Sequence, residues 1–214
     1  FDGNYDRNTV VSHHLLPSIQ TRYIRIYPVK AKLYYHGDLR IDFFGCQIGK
    51  THLTTECGMP LGIQNGRITD AAITASSFQD TAHRARLHTV GEHEKPGAWV
   101  AGVADLSQWL QIDFGSVAMV THIATQGRFE AEYGLRLQTQ HWVTSFKVSF
   151  SQLGRAYQWL KNTIPPYIAK EFPGNSDCYR VVQNDVNPPI IGWYVRLHPV
   201  KWHIHPAMRV EMYG

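Results

Sequence analysis

Apolar and polar residues alternate with period two along several short stretches of this chain. Arg22-Tyr23-Ile24-Arg25-Ile26-Tyr27, Trp109-Leu110-Gln111-Ile112-Asp113-Phe114, Phe146-Lys147-Val148-Ser149-Phe150 and Trp193-Tyr194-Val195-Arg196-Leu197 are rich in β-branched and aromatic side chains and read as strands. Between such segments stand Asn65-Gly66, Pro165-Pro166 and Pro188-Pro189, residue pairs that favour turns. No stretch of helical length carries an amphipathic stripe with caps. Many short strands without intervening helices predict an all-β chain, built as an antiparallel sandwich or barrel. Three segments break the alternation and read as long loops, 76–84, 90–97 and 129–138. Loops on a rigid β scaffold are where binding residues concentrate.

The pattern also repeats. Phe1-Asp2-Gly3-Asn4 is matched by Phe172-Pro173-Gly174-Asn175, Tyr23-Ile24-Arg25-Ile26-Tyr27-Pro28-Val29-Lys30 by Tyr194-Val195-Arg196-Leu197-His198-Pro199-Val200-Lys201, and Leu39-Arg40-Ile41 by Met208-Arg209-Val210. The expected organisation is therefore the C-terminal half of one module (1–46), a polar connector (47–56) and a complete second module (57–214). Cys46 closes the first repeat and Cys57 opens the second module. The simplest reading is one terminal disulfide per module, with partners outside this chain, which points to an oxidising compartment. Cys178 falls outside that framework and reads as a buried or free thiol.

Composition narrows the function classes. The net charge of +4 is mild and the basic residues are scattered through strand-like segments, unlike the dense stripe of a nucleic-acid binder. No apolar run has the length of a membrane span. Catalysis has no positive sign: the chain lacks a Gly-x-Ser-x-Gly elbow, a P-loop and a His-Glu-x-x-His pair. Twelve histidines invite a metal reading, with His203 and His205 expected on one strand face, but no third ligand stands near them in sequence. No cofactor is expected; calcium held by Asp70, Asp80 or loop carbonyls is the alternative. Arg86, Arg196 and Arg209 read as structural, paired with Asp113 or Glu211, and the six tryptophans as packing.

Several ordered motifs resemble the discoidin family, also called the coagulation factor 5/8 type C domain. They include Pro60-Leu61-Gly62-Ile63, Ile73-Thr74-Ala75-Ser76-Ser77, Ala85-Arg86-Leu87-His88, Gly97-Ala98-Trp99, Gln108-Trp109-Leu110-Gln111-Ile112-Asp113-Phe114 and Thr125-Gln126-Gly127-Arg128. The resemblance spans essentially all of 57–214. It implies a jelly-roll sandwich of about eight antiparallel strands, non-catalytic and extracellular (secreted or on the cell surface), with binding loops at one end. Relatives of this kind bind phosphatidylserine membranes, glycans, collagen or other proteins. Their lipid-binding members carry bulky apolar side chains at the loop tips with basic residues behind.

On that resemblance the candidate ligand-binding residues are Phe78, Gln79, His83 and Arg84 in the first loop, Lys95 in the second, and Arg128, Phe129, Tyr133, Leu135 and Arg136 in the third. Phe78 is the one large apolar residue of a short, polar first loop, and Glu130 and Glu132 interrupt the apolar residues of the third. Carboxylates oppose entry into an anionic bilayer. The leading expectation is therefore an extracellular protein or cell-surface receptor as partner. Anionic phospholipid and glycan are the alternatives, and nucleic acid is excluded.

Overall fold

In the computed structural model, which describes residues 1–3, 11, 13, 23–30, 41, 58–91, 95–129 and 140–214, the alternating segments between Leu110 and Leu197 pair as antiparallel ladders. The chain divides into two compact units, Phe1–Leu53 and Thr54–Gly214. In the second, the strands are β1 (Ile73–Ala75), β2 (Trp99–Val100), β3 (Leu110–Gln126), β4 (Trp142–Ser151), β5 (Gln158–Trp159), β6 (Glu171–Pro173), β7 (Val182–His203) and β8 (Ala207–Tyr213). In the first unit, residues 23–30 are exposed and not in a strand, contrary to their alternation. Their counterpart in β7 is laddered on both sides, by β3 and by β4. Alternation alone does not make a strand; a neighbour must take up its N–H and C=O groups. Cys46 and Cys57 lie outside the described residues, and Cys178 is buried.

Two long strands each serve two layers. Residues 110–113 of β3 pair with β1 and with residues 194–197 of β7, which joins β4 and, beyond it, β5 and β6. Residues 118–126 of β3 lie between the N-terminal half of β7 and β8, and β8 in turn pairs with β2. The register shifts between Asp113 and Ala118, where Gly115 adopts φ 68° and donates its N–H to Asp113 Oδ1 at 2.8 Å. Glycine enters this left-handed region without penalty, so the ribbon bends here. The Pro188-Pro189 pair sits at a second shift, where the register passes from Val120↔Ile190 to His122↔Asp185, a position where a strand can spare two donors. Ile73, Leu110, Ile112, Phe146 and Leu197 from one layer meet Val120, Ile123, Ile190, Val210 and Met212 from the other in a single core. The all-β antiparallel sandwich expected from the sequence is the fold observed.

Strand β8 is buried on both faces. Met208, Val210 and Met212 enter the core. The intervening Arg209 and Glu211 are also buried, and the backbone satisfies both. Arg209 donates to three carbonyls, Gly127 O at 2.7 Å, Thr89 O at 2.8 Å and Cys178 O at 2.6 Å. Glu211 accepts the N–H groups of Ile63, Gln64 and Met212 at 3.2, 2.8 and 2.9 Å. The two do not pair with each other as expected; each closes a different set of loop backbone groups. Arg86 pairs instead with Asp70 and Ile63 O, and Arg196 lies between the rings of Trp109 and Tyr157. Among the tryptophans, Trp99 is buried and Trp142 stacks on His203, but Trp159 and Trp193 are exposed.

Burial pushes the Arg209 pKa down to about 10, so the guanidinium is still charged at neutral pH. Lysine cannot fork to three carbonyls. Arg209→Lys is expected to lose about 3 kcal/mol of unfolding free energy in urea, because charge-assisted bonds are forfeited and buried carbonyls orphaned; a loss below about 0.5 kcal/mol, the range of neutral surface changes, refutes the role given to it. A second test concerns His198, which bonds Ser149 Oγ through Nε2 at 2.8 Å. Burial, reinforced by the charge of Arg196, lowers its pKa from 6.5 to about 4. The unfolded chain then binds more protons between these values, so stability falls as pH drops through that window. Partial exposure of the imidazole limits the loss to about 2 kcal/mol. His198→Gln should flatten the stability profile between these pH limits.

Candidate functional site

The described parts of the three predicted loops (76–84, 90–91, 95–97 and Phe129) are tied together at one end of the sandwich. In the first, Ser76 and Ser77 donate their hydroxyls to Gln108 Oε1, and Gln108 Nε2 donates to Asp105 Oδ1 at 2.7 Å. Gly102 N reaches Ser77 Oγ at 2.9 Å, Trp99 Nε1 reaches Ser77 O at 2.9 Å, and Gln79 N reaches Val100 O at 3.0 Å. The second loop joins the first through Arg84, whose guanidinium donates to Pro96 O and to Val90 O at 2.9 Å. Second and third loops meet where Gly91 N donates to Phe129 O at 2.9 Å. Gly97 lies against this bond: a Cβ there would fall 1.7 Å from Phe129 O. The β7–β8 turn closes the ring, with Ala101 N bonded to Pro206 O at 3.0 Å and His205 Nε2 to Ala101 O at 2.7 Å.

Phe78, Gln79 and Lys95 are exposed at this pole, and His83 is half-buried beside Asp70, 4.0 Å from its carboxylate. The Asp70 carboxyl is held below its ordinary pKa by its hydrogen bond from Arg86. Arg84 is spent largely on loop carbonyls, which makes it a brace. Arg128 and Phe129 are half-buried, and Arg128 Nη1 lies 3.4 Å from His141 Nδ1. Tyr133, Leu135 and Arg136 lie outside the described residues. His203 and His205 do not share a strand face: β7 ends at His203, which stacks on Trp142, whereas His205 turns inward to Ala101. Among the described residues no group of three or more His, Cys, Asp or Glu is gathered.

Sequence reasoning missed three apolar residues at the same end. Phe78 is 51% exposed, and it is accompanied by Val103 at 55%, Leu106 at 71% and Ile204 at 56%. Val103 follows Gly102, whose N–H is bonded to the first loop. Leu106 sits in the turn fixed by Asp105, whose carboxylate accepts from Ser107 N and Oγ. Ile204 occupies the β7–β8 turn with φ 59°, a left-handed conformation that a β-branched residue rarely adopts. The available signal was apolar residues in turn-forming sequence, Val103-Ala104-Asp105-Leu106 and His203-Ile204-His205, where solvation favours polar ones.

Comparison with known proteins places this geometry in a family. Aligned over 221 residues, the chain is 34% identical to coagulation factor V of Mus musculus, and over 220 residues 34% identical to coagulation factor VIII of Homo sapiens. Both alignments take in the whole chain but only 9% and 8% of those proteins. Among solved structures, discoidin II of Dictyostelium discoideum superposes with a TM-score of 0.54 at 21% identity, over 66% of this chain and 53% of that one. Residues 72–212 match the F5/8 type C domain. The chain belongs to the F5/8 type C domain family.

Proposed function

We propose that this chain is a non-catalytic recognition module whose loop pole docks on a membrane surface containing phosphatidylserine, in an extracellular setting. The observation that carries the reading is the set of exposed side chains at the bonded loop ends, Phe78, Val103, Leu106 and Ile204. Exposed apolar residues gathered at one place mark interaction surfaces. Ile204 strengthens the point, because a strained, solvent-facing β-branched residue contributes nothing to the core. Burying such side chains at the acyl boundary yields about 0.8 kcal/mol per methylene. Lys95, in the second loop, is exposed and supplies a cation for an anionic headgroup.

The charge of the loops limits the electrostatic share. Glu92 and Glu94 precede Lys95 in sequence, and Glu130 and Glu132 follow Phe129. Binding should therefore rest on apolar insertion and fall only modestly with salt. The same carboxylates in the sequence, together with the polar Gln79 and His83 of the first loop, favour the second reading, an extracellular protein partner.

Co-sedimentation with phosphatidylcholine vesicles, with and without phosphatidylserine, separates the two. Wild type is expected to sediment with the phosphatidylserine vesicles. Phe78→Ala combined with Ile204→Asn should weaken that binding by roughly tenfold or more, the loss of about 1.4 kcal/mol. Asparagine tolerates the left-handed conformation, so the thermal midpoint should not drop. No sedimentation at low ionic strength, or unchanged binding by the double variant, removes the membrane reading and leaves the protein partner.

A further inference from the structure

A second surface lies on the outer edge of β4, toward its Phe150 end and thus remote from Trp142 and the loop pole. There the chain after β5 folds back on itself: Leu160 N donates to Val148 O at 2.9 Å, Lys170 N to Leu160 O at 2.8 Å and Asn162 N to Ile168 O at 3.0 Å. Buried Leu160 pins this hairpin to the core. Two open grooves run along it, of about 590 and 380 Å³, and they share Asn162 and Thr163. Phe150, Tyr157, Trp159 and Pro188 wall the larger one, and Lys161 stands on its rim. Lys170 and Asn187 line the smaller.

The aromatic walls are fixed from beneath. Tyr157 donates its hydroxyl to Gln111 Oε1 at 2.7 Å, and the same oxygen accepts Arg196 Nε at 2.9 Å. The Arg196 guanidinium lies 3.7 Å from the centroid of the Tyr157 ring and 4.1 Å from that of Trp109. The Trp159 ring leans on His198, centroids 4.6 Å apart, yet the residue is 43% exposed. Rings already held in place lose little freedom when a ligand settles on them. A purely structural role does not account for a tryptophan half in water on a two-residue edge strand.

We propose that this flank groove binds an acidic carbohydrate chain. Hexose rings offer C–H faces to aromatic walls and hydroxyl edges to amides, and Tyr157, Trp159, Asn162 and Asn187 supply both. Charge makes the choice between neutral and acidic sugars. Lys161 and Lys170 line the grooves and, among the described residues, no carboxylate does. Of the carboxylates nearby, Glu171 pairs with Lys201 at 3.9 Å, Asp185 lies 3.5 Å from the His122 imidazole, and Asp113 accepts Gly115 N. Carboxylate and sulfate groups on the sugar share the chemistry that two ammonium groups recognise. The site is independent of the loop pole and of what that pole binds.

Titration calorimetry of the full chain tests the assignment with three probes: a heparin-derived hexasaccharide, a hyaluronan hexasaccharide and neutral maltohexaose. At least one acidic probe should bind, with affinity falling as salt rises, and maltohexaose should bind about tenfold more weakly or not at all. Binding of both acidic probes shows that carboxylates suffice; binding of the heparin probe alone assigns the contact to sulfate. Trp159→Ala and, separately, the exposed Lys161→Ala should each weaken binding severalfold, whereas Phe78→Ala at the loop pole should leave it unchanged. The proposal is overturned if neither acidic probe binds, if maltohexaose binds equally well, or if Phe78→Ala abolishes binding that Lys161→Ala leaves intact.

Discussion

A guanidinium buried in the last strand holds the carbonyls that precede the second and third loops, at Thr89 and Gly127, and a third at Cys178. Loops leave the sheets at these points, so their backbone oxygens have no ladder partner and would face the interior unsatisfied. One cation with five donors in a fixed fork answers three of them at once, which no neutral side chain can do. Glu211, two residues on, does the complementary task for N–H groups at Ile63 and Gln64. A strand apolar on one face and charged on the other, with both faces buried, is thus the means by which a short β-sandwich fastens irregular segments to a regular core. The loop positions at the pole are consequences of that fastening.

With their bases held so firmly, the loop tips are free to carry residues that do nothing for stability. Ile204 is the clearest case. Its left-handed backbone costs on the order of 1–3 kcal/mol and persists only where neighbours over-determine it. Here His205 and Pro206 bond to the flanking Ala101 and supply that constraint. Phe78 is likewise displayed between Ser77, bonded to Trp99 and Gly102, and Gln79, bonded to Val100. In each case the backbone on either side is fixed while the side chain stands in water.

The strands of residues 110–197 were legible because their alternation reflects a real division between core and exterior: Leu110, Ile112, Val195 and Leu197 all point where the pattern put them. Residues 23–30 carry the same alternation and are not in a strand; periodicity encodes only which face is apolar. The end of the sandwich that holds Phe78, Gln79 and Lys95 was legible through loop-like sequence. Its apolar partners were not, since Val103 and Leu106 come from the β2–β3 connection and Ile204 from the β7–β8 turn, far apart in the chain, and only the fold brings them to one end. Charge partners were the least legible. Arg209 and Glu211 are neighbours of opposite sign, and sequence logic pairs them; their side-by-side β positions send them instead to different backbone groups.

The exposed tryptophans show the same limit from another direction. Six indoles in a chain of this size invite a packing explanation, and for Trp99 and Trp142 it holds. For Trp159 the deciding fact is what lies under it. His198 is kept neutral by burial, so it offers the indole a flat, uncharged support. Arg196, next but one along β7, is held between two aromatic rings by its fixed positive charge. Strand alternation places both residues on the same face, and their different protonation states build one continuous platform: a charged link under Tyr157 and a neutral one under Trp159. Were His198 protonated, two like charges would face each other beneath the rings, and the platform would loosen as the imidazolium sought water.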